Sequence, residues 1–151
     1  PLTYETVIAD KKLVREFRLK NPGREDVFKN LINSQWMEFS QSSDYMRVLF
    51  EGNISLLIHQ RVKKVGEVAE FTSDGPKIRT KLKPDPVYYL FTHDNRSFLI
   101  RRFNNRTLNK IFPKNKEEVR QAFRSTHGRP QKDSERTELI KNLELLIFNN
   151  P

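Results

Sequence analysis

The chain has no cysteine. That removes disulfide staples, thiolate nucleophiles and Cys-based metal sites, while identifying no redox compartment. Long apolar runs are also missing. The longest, "ISLLI" at Ile54–Ile58 and "LELLIF" at Leu143–Phe148, fall far short of the ~18 residues that a membrane-spanning helix needs. Glycine is scarce. The five glycines, at 23, 52, 66, 75 and 128, make no G-x-G-x-x-G phosphate cradle and read as turn and cap residues. Histidine is scarcer still. His59, His93 and His127 fall on a strand, a turn and a helix end, with no pair at metal-ligand spacing. His93-Asp94 offers one ligand pair, but a turn Asp more commonly satisfies its own backbone. There is no G-x-S-x-G elbow. Glu117 and Glu118 are adjacent on a helix and point apart. They suit the helix N-terminus better than acid–base work. These absences lead to the expectation of a non-catalytic chain with no metal and no cofactor.

What the chain does have is enough apolar matter for a core, 36% of 151 residues with eleven Phe, and an uneven charge. Residues 101–132, "RRFNNRTLNKIFPKNKEEVRQAFRSTHGRPQK", hold ten Lys/Arg against Glu117 and Glu118. That surplus of eight leaves only one of the net +9 charges to all other residues. Counted by segment, any charge-based function belongs there.

The first hundred residues alternate with period two and read as strands. Tyr4–Ala9 and Leu13–Leu19 come first. "NPG" at Asn21–Gly23 breaks the chain, and Asp26–Asn33 reads as a strand. "YMRVLFEGNISLLIHQRVK" is a hairpin with Gly52-Asn53 as a two-residue type II′ turn. Its first face carries Leu49, Ile54, Leu56 and Ile58, its second Met46, Val48, Phe50 and Leu57, so both faces call for cover. Lys64–Pro86 is a long polar link that either hides a short strand near Lys77–Leu82 or is mobile. Val87–Thr92 and Ser97–Phe103 form a second hairpin. The period then becomes 3.6: Arg106–Phe112 capped by Asn105, Lys116–Thr126 capped by Asn115 and ended by a left-handed Gly128, and Ser134–Phe148 with an apolar face of Leu139, Ile140, Leu143, Leu146 and Ile147. The expected fold is α+β in one domain, residues 1–151. An antiparallel curled sheet or partial barrel of about six to eight strands (residues 1–103) precedes a small three-helix cap (104–151).

Three words in this order, the "EG" turn with "SLL" behind it, the aromatic "VYYLFTHDNRSFLIRR", and "RTLNKIFPKNKEEVRQAF" ahead of "ELIKNLELL", resemble a family of uncharacterised exported proteins of Bacteroidetes. The resemblance covers roughly residues 44–151. It implies export to the periplasm or cell envelope, and it carries no activity over to these positions. A chain that opens with Pro1 fits removal of an export signal; the cytoplasm stays open as an alternative.

Two candidate surfaces follow. Lys116, Arg120 and Arg124 are spaced i, i+4, i+8 and form one helical ridge. With Arg101, Arg102 and Arg106 they make a candidate anion-binding set for a phosphate backbone, a headgroup layer or an acidic polysaccharide. The plain alternative is the solvated side of amphipathic helices. Trp36 and Phe39, with Met37, lie in the polar stretch Asn33–Tyr45. They are a candidate partner-binding patch, or else a plug at one end of the sheet. A helix-turn-helix around "STHGRP" is disfavoured, because the helix that would enter a groove is flanked by Asp133, Glu135, Glu138 and Glu144. The expected function is therefore a non-catalytic module of the cell envelope that binds a protein partner or an anionic polymer. The alternative is a nucleic-acid-binding domain that uses residues 101–132 for phosphate contacts.

Overall fold

The computed structural model of the chain describes residues 14–30, 45–73, 75–126 and 128–148. Its strands are β1 (Glu16–Asn21), β2 (Arg24–Asn30), β3 (Tyr45–Phe50), β4 (Ile54–His59), β5 (Val62–Thr72), β6 (Gly75–Pro84), β7 (Val87–Thr92) and β8 (Ser97–Ile100). Three helices follow among the described residues: α1 (Asn105–Ile111), α2 (Lys116–Ser125) and α3 (Asp133–Phe148). The expected α+β class is what the molecule has. β1-β2-β3-β4-β7-β8 form one six-stranded sheet in that order, each neighbour pair antiparallel, while β5 and β6 form a separate two-stranded sheet. Among the described residues the large sheet is open, with β1 and β8 as its edges. The predicted strand Tyr4–Ala9 lies outside the described residues.

Local chemistry accounts for the turns. Pro22 fixes φ at the β1–β2 turn and Gly23 follows at φ 75°, the pairing a type II turn requires. α2 ends as expected, with Gly128 at φ 109° and its N–H on the Phe123 carbonyl at 3.0 Å. The β3–β4 connection differs from expectation. Gly52 does not take the positive φ of a type II′ turn. A bulge between Val48 and Phe50 places Phe50, not Leu49, opposite Leu56. Gly52 is needed for space instead. The Glu144 carboxylate of α3 accepts the Ile54 N–H at 2.7 Å, and a Cβ on Gly52 would lie within 2.4–2.8 Å of it. α1 is capped one residue earlier than expected: Asn104, not Asn105, accepts the Thr107 N–H. Asn115 occupies the N-cap of α2 but makes no side-chain cap bond.

Alternation along the strands divides the core. Ile54, Leu56 and Ile58 of β4, with Tyr88, Leu90 and Ile100, face the helices and are buried against Leu108, Ile111, Val119, Ala122, Phe123, Leu139, Ile140 and Leu143. α3 lies on β3 and β4, α2 on α3, and α1 on α2. On the opposite face Met46, Leu57 and Phe91 are buried with Val48 and Tyr89 against them. The hairpin is thus covered on both sides, as its two apolar faces require.

The largest departure is the segment read as a polar link. It is a β-ribbon, β5 paired with β6 from Val62↔Pro84 to Thr72↔Gly75, roughly 30 Å long at strand rise. β4 and β7 pair directly, so the ribbon is an excursion between neighbouring strands. Its base is closed by the Asp85 N–H on the Arg61 carbonyl at 2.8 Å and by an Arg61–Asp85 ion pair at 3.0 Å. Joining Arg61 to Asp85 through Asn-Gly, in place of residues 62–84, is expected to leave the body folded. Its urea-unfolding free energy should move by less than ~1 kcal/mol, since the excised residues are nearly all exposed. Loss of the near-ultraviolet circular dichroism signal would show instead that the ribbon belongs to the core.

Candidate functional site

The six cations singled out by sequence are all exposed. Arg101 and Arg102 lie in the link after β8, Arg106 is on α1, and Lys116, Arg120 and Arg124 run down α2. They point outward because the opposite stripe of α2, Val119, Ala122 and Phe123, is spent on the core. Arg120 and Arg124 share an open hollow with Asn105, Phe123 and Gly128, of about 530 Å³. α2 therefore brings two of the six together, beside the first residue of α1. Arg120 also pairs with Glu117 one turn back, a surface pair of small worth. Trp36 and Phe39 lie outside the described residues. The His93-Asp94 turn is a self-contained structure. Asp94 accepts from the Thr92 hydroxyl and from Arg96 Nε at 2.6 Å, and these bonds, Thr92's first, hold its carboxyl below the usual range. His93 stands edge-on to Phe148, ring centroids 5.0 Å apart.

A cluster that sequence reading passed over lies between sheet and helices. Arg47, Ile58, Tyr88 and Ile100 form one row across β3, β4, β7 and β8. Arg47 is only 5% exposed. Its guanidinium pairs with Asp26 of β2 at 3.2 Å and with Asp133, the first residue of α3. The other oxygen of Asp133 accepts the Tyr88 hydroxyl at 2.8 Å and Arg136 at 3.0 Å. Arg136 lies over the Tyr88 ring at 4.6 Å and the Phe103 ring at 5.5 Å. The signal was present in the sequence: Arg47 pairs across from Ile58, so it shares that apolar face, and a cation there needs a carboxylate. Tyr88 and Asp133 also line a cavity of about 380 Å³ at the root of the ribbon, with Gln60, Arg61, Val62 and Pro84.

The ribbon itself is the second feature missed. Along β6 the cations Lys77, Arg79, Lys81 and Lys83 occupy one face, and Pro76, Ile78, Thr80, Leu82 and Pro84 the other. Exposed rows of cations are therefore not confined to residues 101–132. β6 carries four cations and no acid, which the segment count concealed because acids elsewhere offset them. No protein-family model, curated protein or solved structure matches the chain. Among the described residues no helix is long and apolar enough to cross a membrane.

Two outcomes follow for the buried cluster. Arg47→Ala should destabilise the protein by about 3–5 kcal/mol in urea unfolding, because it removes the buried cation that two carboxylates share, and Asp133→Ala should cost less, because Arg47 keeps Asp26. Arg47→Met should cost less than Arg47→Ala. Burial first, and then Asp133, push the Tyr88 hydroxyl up to about 12. A folded pKa above the unfolded value of ~10 favours the protonated, folded form. That stabilisation is full below pH 10 and is lost as pH rises from 10 toward 12. Tyrosinate absorbance should show a late-titrating component that is absent in Tyr88→Phe, with stability falling across the same window.

Proposed function

We propose that this chain is a non-catalytic binding module for an acidic partner, a protein or an anionic polymer of the cell envelope. The supporting observation is the outward display of cations on two separate elements. The α2 ridge Lys116, Arg120 and Arg124 is exposed, and so is the β6 row. Of the ridge, only Arg120 has a carboxylate within ion-pair distance among the described residues. Such surfaces raise the local concentration of polyanions and steer their approach. The export component rests on the resemblance over residues 44–151.

Nucleic acid as the polyanion is the second reading. Arg120 and Arg124 on one hollow beside Asn105 give a phosphate two charged donors and a neutral one. Heparin and duplex DNA, each titrated at two salt concentrations, separate the cases. Wild type is expected to bind heparin, and Lys116→Glu/Arg120→Glu/Arg124→Glu to bind at least about tenfold more weakly while keeping its circular dichroism spectrum. A duplex-DNA affinity whose logarithm falls with log salt at a slope of about −5 would instead support six phosphate contacts. Wild type binding neither polymer nor any acidic peptide would overturn the proposal.

A further inference from the structure

Among the described residues β6 has two exposed faces and one edge without a neighbouring strand. The ribbon register sets Phe71 opposite Pro76, Ala69 opposite Ile78, Lys64 opposite Leu82 and Val62 opposite Pro84 on its apolar face. Phe71, Ile78, Val62 and Leu82 of that face are 86, 72, 68 and 57% exposed. On the other face Lys63 stands directly opposite Lys83, and Glu70 answers Arg79 at 2.9 Å. A two-stranded ribbon is marginal in water. Like charges directly opposed weaken it further. Among the described residues the only strand beside β6 is β5, so the other edge of β6 has no neighbouring strand there.

The occupants can be ranked by how many of these features each satisfies. A nucleic acid or sulfated polymer takes the cations and leaves the apolar face in water. A second copy of β6 covers the apolar face but sets two cation rows side by side, the device by which edge strands avoid self-pairing. An extended protein segment that alternates acidic and apolar residues satisfies edge, apolar face and cations together. We infer that β6 is the acceptor edge for such a strand, added to the ribbon by β-augmentation. Its acids meet Lys77, Arg79, Lys81 and Lys83, which repeat about every 6.6–6.8 Å. Its apolar side chains extend the Ile78–Leu82 face. Pro76 and Pro84 have no N–H to offer, so pairing is confined to the residues between them. The inference rests on the binding-module reading and gives that module's partner its chemistry.

The test uses the full chain and two nine-residue peptides of one composition. In one, glutamate and valine alternate; in the other, the glutamates are grouped at one end. Fluorescence anisotropy should show the alternating peptide binding about tenfold tighter, the yield of a few cross-strand pairs. Hydrogen exchange should slow at the amides between Lys77 and Lys83. Lys77→Glu/Arg79→Glu/Lys81→Glu/Lys83→Glu should lose that peptide and gain one alternating lysine and valine. Lys81→Glu/Lys83→Glu serves if the fourfold variant fails to fold. Equal binding of the two glutamate peptides, or no loss on reversing the β6 charges, would overturn the inference. So would heparin or DNA binding through β6 with neither peptide bound, which leaves the anion-binding module standing. If the chain binds no acidic probe at all, both readings fall.

Discussion

Arg47 sits on the helix side of the central sheet, in a row with Ile58, Tyr88 and Ile100. Its guanidinium cannot shed its proton, and at 5% exposure it has no bulk water to turn to. Carboxylates must come to it. One is Asp26 from the neighbouring strand; the other is Asp133, which opens α3. Asp133 also gathers Tyr88 and Arg136, and its charge lies at the helix end that favours an anion. Leu and Ile side chains alone would let α3 settle in more than one place on β3 and β4. A shift of one turn, about 5.4 Å, takes Asp133 off Arg47 and leaves the buried guanidinium with Asp26 alone. The network thus selects one docking of α3, more than it adds to net stability.

The surface cations depend on that docking. α2 packs on α3 and α1 on α2, so once α3 is fixed, the stripe Val119, Ala122 and Phe123 faces inward and Lys116, Arg120 and Arg124 face out. A second tie works from the other end of α3. Glu144 accepts the Ile54 N–H, and Gly52 leaves room for its carboxylate. The two ties hold a long helix near each end against the same hairpin. Glu135 adds a local constraint: it accepts the N–H groups of Gln131 and Lys132, in that order of effect, and its carboxyl is held below the usual range. The helix start is therefore fixed by its own side chain as well as by the sheet.

Periodicity made the two hairpins and the three helices legible. Period two and period 3.6 come from burying one face, and these elements do bury a face. The same rule explains the misses. Gly52 was read through turn propensity, but its need is steric and comes from Glu144, ninety-two residues away in the chain. Local sequence does not encode such a contact. Asn105 was taken for the α1 cap, yet Asn104 and Asn105 have the same chemistry, and only backbone geometry chooses between them. Arg47 lies opposite Ile58 on the face that the helices cover, and its partner comes from another element. Asp133 was counted as an acid flanking a helix, and its role appears only when sheet and helix are brought together. Of the proposed site residues, the cations of residues 101–132 could be placed because surface charge on an amphipathic helix is predictable from the helix alone.

The ribbon was missed for a different reason, and the reason bears on function. Strands are recognised by alternation between an apolar and a polar face, and β6 alternates without interruption from Pro76 to Pro84. Its apolar positions are spaced by lysines and an arginine, so average polarity hides them and the stretch reads as a link. In a strand that folds against its own core, the apolar side would be buried and the polar side wet. Here both sides are wet, since Phe71, Ile78 and Leu82 are exposed and so are the lysines behind them. A strand pattern that finds no interior among the described residues suits a surface completed from outside, the reading inferred for β6. The charges narrow that completion. Four cations without an acid on one strand oppose pairing with an identical strand and favour an acidic one. The alternation that disguised β6 as a polar link is the pattern a complementary acidic strand must match.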